Sequence, residues 1–176
     1  MNDVLAFWFS HHDDWWAKSA AFDEAIREQF TPLRRAILAG EHEDWRKTPT
    51  GTLAYVVVLD QLSRNMFRGD ARAYEGDARA LAASREAIAR GDDAGMSRDE
   101  RTFLYLPLMH SEDLADQERG VALFQALGDP EALRSAEQHR DVVRRFGRFP
   151  HRNRILERPS TPEELAFLKE PGSSFA

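Results

Sequence analysis

Apolar residues recur along most of this chain at three- and four-residue spacings, a period that predicts helices joined by short links. Leu5, Phe7, Trp8 and Phe9 crowd a first short helix that Asn2 or Asp3 is placed to cap. Asp13 or Asp14 is expected to open the next helix, with Trp15, Phe22, Ile26 and Phe30 along one face. Thr31 and Pro32 then mark a kink or a fresh start, and Leu33, Ile37 and Leu38 carry the pattern to Gly40. Over residues 50–67 (TGTLAYVVVLDQLSRNMF) the apolar positions fall on every side, which predicts a central helix. Three consecutive valines there also admit a buried strand, but the length of the run favours the helix.

Polar signals divide the remainder. Asp77 is placed to cap a helix with Leu81, Ser84 and Ile88 inward, and Ser97 with Glu100 has capping-box spacing ahead of an almost wholly apolar helix that contains Pro107. That proline cannot donate to the Phe103 carbonyl, so a kink is expected, with the carbonyl seeking another partner. A helix over about 114–127 should turn Leu114, Val121, Phe124 and Leu127 inward. Gly128, Asp129 and Pro130 read as stop, cap and first-turn proline of the helix that carries His139, Val142, Val143 and Phe146 on one stripe and ends at Gly147. Thr161, Pro162 and Glu164 open a last short helix that offers Leu165, Phe167 and Leu168 for docking. The fold class expected is all-α, antiparallel helix pairs in a compact array, as one domain over residues 1–176 with a loose tail from 171.

Composition adds limits. A chain of 176 residues with 42% apolar and 31% charged side chains is of globular type and has length enough to bury roughly 70% of its unfolded surface. Its net charge of -6 opposes non-specific binding to nucleic acid or anionic membrane. Seven arginines between His139 and Arg158, against Asp141 and Glu157, nevertheless give that stretch a local +5. They suit a small anion, or they pair with the chain's own acids. The absence of cysteine excludes disulfides, thiolate chemistry and cysteine-ligated metal. With no basic leader and no apolar run longer than the seven residues 53–59, a cytoplasmic protein is expected.

Several segments resemble one family. DQLSRN at 60–65, FLYLPLMHSEDLADQE at 103–118 and RFGRFPHRN at 145–153 are similar to signature segments of the bacterial family known as domain of unknown function 924, as are FWF at 7–9 and TPEELAFL at 161–168. Leu62 and Ser63 stand where that pattern has Phe-Pro. The resemblance implies a helical, tetratricopeptide-like fold and no particular chemistry.

The candidate site is a set of polar residues near helix ends or on apolar stripes. Asp60 and Arg64 lie one helical turn apart on the line Leu53, Val57, Asp60, Arg64, Phe67, as a structural ion pair or as the floor of a pocket. With Asn65, Arg148, His151, Arg152 and Asn153 they form the expected ligand-binding set, for a small anionic molecule or an acidic peptide segment. A hydrolase reading assigns His110 or His139 as general base, oriented by Glu112 or Asp60. A third reading leaves the cluster as a satisfied core network without a ligand. The His110-x-Glu112 spacing matches none of the usual helical metal-ligand patterns, and there is neither a phosphate-cradling glycine loop nor a dinucleotide fingerprint, so neither metal nor cofactor is expected.

Overall fold

A computed structural model gives the fold and describes residues 1–173. Among them every regular element is helical. The α-helices are α1 (Asn2–Phe9), α2 (Ala20–Leu38), α3 (Pro49–Val57), α4 (Ser63–Met66), α5 (Asp77–Arg90), α6 (Arg98–Met109), α7 (Leu114–Leu127), α8 (Pro130–Phe146) and α9 (Pro162–Phe167). No helix among the described residues is long and apolar enough to cross a membrane. The chain forms two compact units, Met1–Pro107 and Leu108–Ala176, with the division inside α6.

In the first unit α3 and α4 are joined without a break by a π-helical turn, Val58–Leu62, and every residue from Gly51 to Ser63 is buried. An all-round apolar helix belongs in a core, and α1 and α5 pack on α3 while α2 packs on α4. Thr48 caps this helix by accepting the Gly51 N–H at 3.1 Å. Trp8 is fully buried and meets Phe103 edge to face at 5.2 Å, while the Trp15 indole donates to the Trp8 carbonyl at 2.8 Å. The N-terminal aromatics thus serve the core, except that Trp16 is 68% exposed.

Several expected boundaries moved: α1 opens at Asn2 after Met1 without the side-chain cap expected of Asn2 or Asp3, and Asp77 is the first residue of α5, after Gly76, in place of its cap. Ser19, rather than Asp13 or Asp14, caps α2, its hydroxyl accepting the Phe22 N–H at 3.2 Å; the two aspartates belong to a separate single turn, His12–Asp14. Pro32 does not restart the helix, because α2 runs through it. Thr31 is an interior residue whose hydroxyl donates to the Arg27 carbonyl at 2.6 Å, satisfying its polar group without a helix end. At Pro107 α6 likewise continues, and the Ser84 hydroxyl supplies an additional donor to the Leu104 carbonyl.

In the second unit α7 and α8 are linked only by Gly128 and Asp129 and pack along one another as an antiparallel pair. Asp113 and Asp129 cap them, and Gly147, at φ 68°, ends α8 in the left-handed conformation that glycine adopts without strain. Val142, Val143 and Phe149 form a core cluster that Phe146 and Phe167 flank. Leu114 and Leu165, expected to face inward, are 41% and 51% exposed; Leu114 directly follows the Asp113 cap, and Leu165 lies in the middle of the six-residue α9. Of the tail expected to be loose, Ser173 is buried and donates its hydroxyl to the Leu168 carbonyl at 3.2 Å, while residues 174–176 lie outside the described residues.

Candidate functional site

Candidate residues fall in both units. In the first, the π turn carries Asp60, only 1% exposed, and leaves Arg64 one turn further on. Arg64 pairs with the Asp60 carboxylate, donates to the Asp60 carbonyl at 3.1 Å, and binds both oxygens of Asp77 at 2.9 and 3.0 Å. The Tyr74 ring lies 5.6 Å below its guanidinium, and Gln61 donates to Asp60 at 2.8 Å. Burial disfavours the charged Arg64, but the two aspartates outweigh it and raise its pKa further. Asn65 instead donates to Asp23 at 2.8 Å, which Arg68 also grips through two bonds of 2.9 Å. Burial pushes the Asp23 carboxyl up, and these bonds bring it below its ordinary value.

In the second unit, the chain leaving α8 at Gly147 passes through Phe149, fully buried, into a single tight turn, Pro150–Arg152. That turn brings His151 and Arg152 around Phe149, with the Arg152 guanidinium 4.6 Å from the ring centre and the His151 ring at 5.6 Å. From α8, His139 meets the same ring edge to face at 5.6 Å, and His110, from the segment after α6, lies 6.2 Å from His139. Two imidazoles and a guanidinium are therefore assembled about one aromatic ring, with a third imidazole, His110, beside His139.

Their protonation follows from their surroundings. His139 Nδ1 is 2.7 Å from the Ser135 carbonyl, one turn back on α8. A carbonyl only accepts, so this nitrogen carries the proton and Nε2 presents a lone pair. Burial, and then the neighbouring His110, hold the His139 imidazole down at about 3. Burial and the adjacent Arg152 hold His151 at about 4, with Glu112 pulling the other way. Both rings are neutral at pH 7.

Glu112, Arg148 and Asn153 brace this segment. Glu112 accepts the Phe149 N–H at 2.7 Å and two bonds from Arg158 at 2.6 and 2.9 Å. Burial raises its pKa, but Arg158 and the Phe149 amide bring it below the ordinary value. Arg158 also donates to the Asn153 side-chain carbonyl at 3.0 Å, and Asn153 donates to Ser160 at 3.1 Å. Arg148 grips Glu164 through bonds of 2.6 and 2.8 Å and donates to the Pro159 carbonyl at 2.8 Å. Glu164, held at about 2 by Arg148 above all, is in turn the capping-box residue of α9. Arg140, Arg144, Arg145, Arg148 and Arg158, five of the seven arginines of the basic stretch, pair with acids of their own unit.

The partners Arg158, Glu164, Asp77 and Asp23 were not among the residues expected from sequence. Arg158 and Glu112 lie 46 positions apart, and no periodicity links them. Asp77 and Glu164 had local signals, a helix start and a capping-box spacing, which report helix ends and not the arginine each holds. No group of three or more His, Asp or Glu side chains among the described residues is disposed to hold a metal ion.

The family model described as a bacterial protein of unknown function (DUF924) matches residues 4–172. The chain belongs to the DUF924 family. It is also similar to a solved structure, that of a protein of unknown function from Agrobacterium tumefaciens, with 44% identity, 96% of each chain covered and a TM-score of 0.91. Among curated proteins no match was found. Membership in DUF924 accounts for the motif segments and the fold, and leaves the chemistry to be read from the residues.

Proposed function

We propose that this DUF924 protein is a helical scaffold, built from helix pairs of the tetratricopeptide-like kind, that binds a small anionic molecule through the second-unit cluster of Arg152, His151, His110 and His139. One observation carries the reading: two imidazoles and an arginine are packed about Phe149 with a third imidazole, His110, beside His139, and His139 and His151 are kept neutral by burial. Burying so many polar rings together costs stability that apolar side chains of the same size would not. Strongly perturbed groups gathered in this way are the usual mark of a binding or reacting site. Neutral imidazoles both donate and accept, and a guanidinium matches a carboxylate or phosphate through paired bonds. Arg148 and Asn153, with Arg158, hold the turn in place on this reading, and Asp60, Arg64 and Asn65 do the same for the π turn of the first unit.

Hydrolysis by His139 is the weaker reading. A base held at about 3 has little proton affinity at neutral pH, and Glu112 is engaged by Arg158 and the Phe149 amide. The test is titration with inorganic phosphate and with citrate, followed by amide and imidazole NMR shifts. Shifts confined to His110, His139, His151 and Arg152, lost in Arg152→Met and kept in Arg145→Met, are expected. No saturable shift with either anion would overturn the reading.

A further inference from the structure

The tight turn places His151 next to Arg152, on the same aromatic ring and half-buried. We infer that the site, on the reading just given, takes its anion together with a proton, and that His151 is the group that accepts the proton. Two features of the geometry support this. First, His151 faces Arg152, Glu112, His110 and Arg158, and Glu112 is already bound by two bonds from Arg158. Additional negative charge beside Arg152 therefore offsets the cations that disfavour imidazolium. Second, His139 is 6% exposed, its Nδ1 is tied to the Ser135 carbonyl, and it faces His110, Arg152 and His151. Of these two histidines His151 is the less enclosed, so charging it costs less desolvation.

An opposite charge within 4–6 Å raises a pKa by about 1–3 units, which lifts His151 from about 4 toward the range of pH 5–7. Binding and protonation are then linked. Affinity strengthens as pH falls from the bound-state pKa toward the free-state one, by up to about tenfold per pH unit. No covalent step is involved; the proton comes from solvent and returns to it on release.

The probe is sulfate, whose own charge is constant across the range tested. Calorimetric titration of the whole protein at pH 5.5, 6.5 and 7.5, in two buffers of different ionisation enthalpy, reads both affinity and proton uptake. Several-fold tighter binding at pH 5.5 than at 7.5 is expected, with net uptake at pH 6.5 that disappears in His151→Asn. Sulfate binding without uptake overturns the inference but leaves the anion-binding reading standing, and uptake unchanged in His151→Asn also overturns it. If sulfate, phosphate and citrate all fail to bind, both fall together. Thermal melts show that the variant is folded before its uptake is compared.

Discussion

Glu157 has a φ of 55°, in the left-handed region, where an L side chain brings Cβ against the following carbonyl. Its side chain is exposed, so removing it costs little contact. Glu157→Gly should relieve the backbone and, after the added freedom of the unfolded chain, raise stability by about 0.5–1 kcal/mol. A lowered urea midpoint would count against that conclusion. Single residues are also where sequence was least informative. His139 was legible as the polar head of an apolar stripe, and its tautomer follows once the helix is granted, because Ser135 lies four residues back. What Arg148 and Arg152 each do was not legible. The two are chemically identical and four positions apart, yet one closes on Glu164 and the other lies over Phe149, a difference fixed by where α9 and the turn at 150–152 come to rest.

Most helix ends from α6 onward followed their signals, whereas the starts of α1, α2 and α5 did not. Ser97 with Glu100, Asp129 with Pro130, Gly147 and Thr161 with Glu164 all act as their spacing predicted, because a cap is a local contract between a side chain and the backbone two or three residues on. The π turn at Val58–Leu62 had no such signal, since it adds no residue type of its own to the pattern. Nor did the close approach at Gly51, where an added Cβ would stand 2.2 Å from the Trp45 carbonyl oxygen and 2.8 Å from the Thr48 hydroxyl. Gly51→Ala should displace the turn that delivers Thr48 as the cap of α3, with a loss on the order of 2–4 kcal/mol. Gly95→Ala, which meets nothing within 4 Å, is the neutral comparison in the same denaturation series. Equal midpoints for the two variants would refute the close approach. At α9 the carboxylate of Glu164 serves both its own helix and Arg148. Glu164→Ala should therefore cost about 1–2 kcal/mol, and Glu164→Gln less, since glutamine still closes the capping box. A glutamine variant as unstable as the alanine one would mean that the ion pair, not the cap, holds this end.

For the molecule as a whole, the perturbed histidines and carboxylates act in one direction. His139 and His151 have folded-state values of about 3 and 4, below the ordinary 6.5, and Glu112, Asp23 and Glu164 lie below ordinary carboxylates. Above pH 6.5 the two histidines are neutral in both folded and unfolded chains and leave stability unchanged. As pH falls below 6.5 the unfolded chain binds protons that the folded chain refuses, so stability drops, and the loss continues until the folded-state values are passed. For the carboxylates the stabilisation is complete above about 4.5 and is lost as pH falls through their lowered values, in the case of Glu164 toward about 2. Each group inside its window contributes a slope of up to about 1.4 kcal/mol per pH unit. Urea unfolding should therefore be level between pH 8 and 7 and fall steadily from pH 6 to 5, mostly above the range in which carboxylates titrate. His151→Asn should flatten that early fall while leaving the later, carboxylate-driven loss in place. A wild-type profile that stayed level down to pH 5 would mean that the imidazoles around Phe149 are charged in the folded protein, and the cluster would then have to be read as a cationic patch in place of a neutral site.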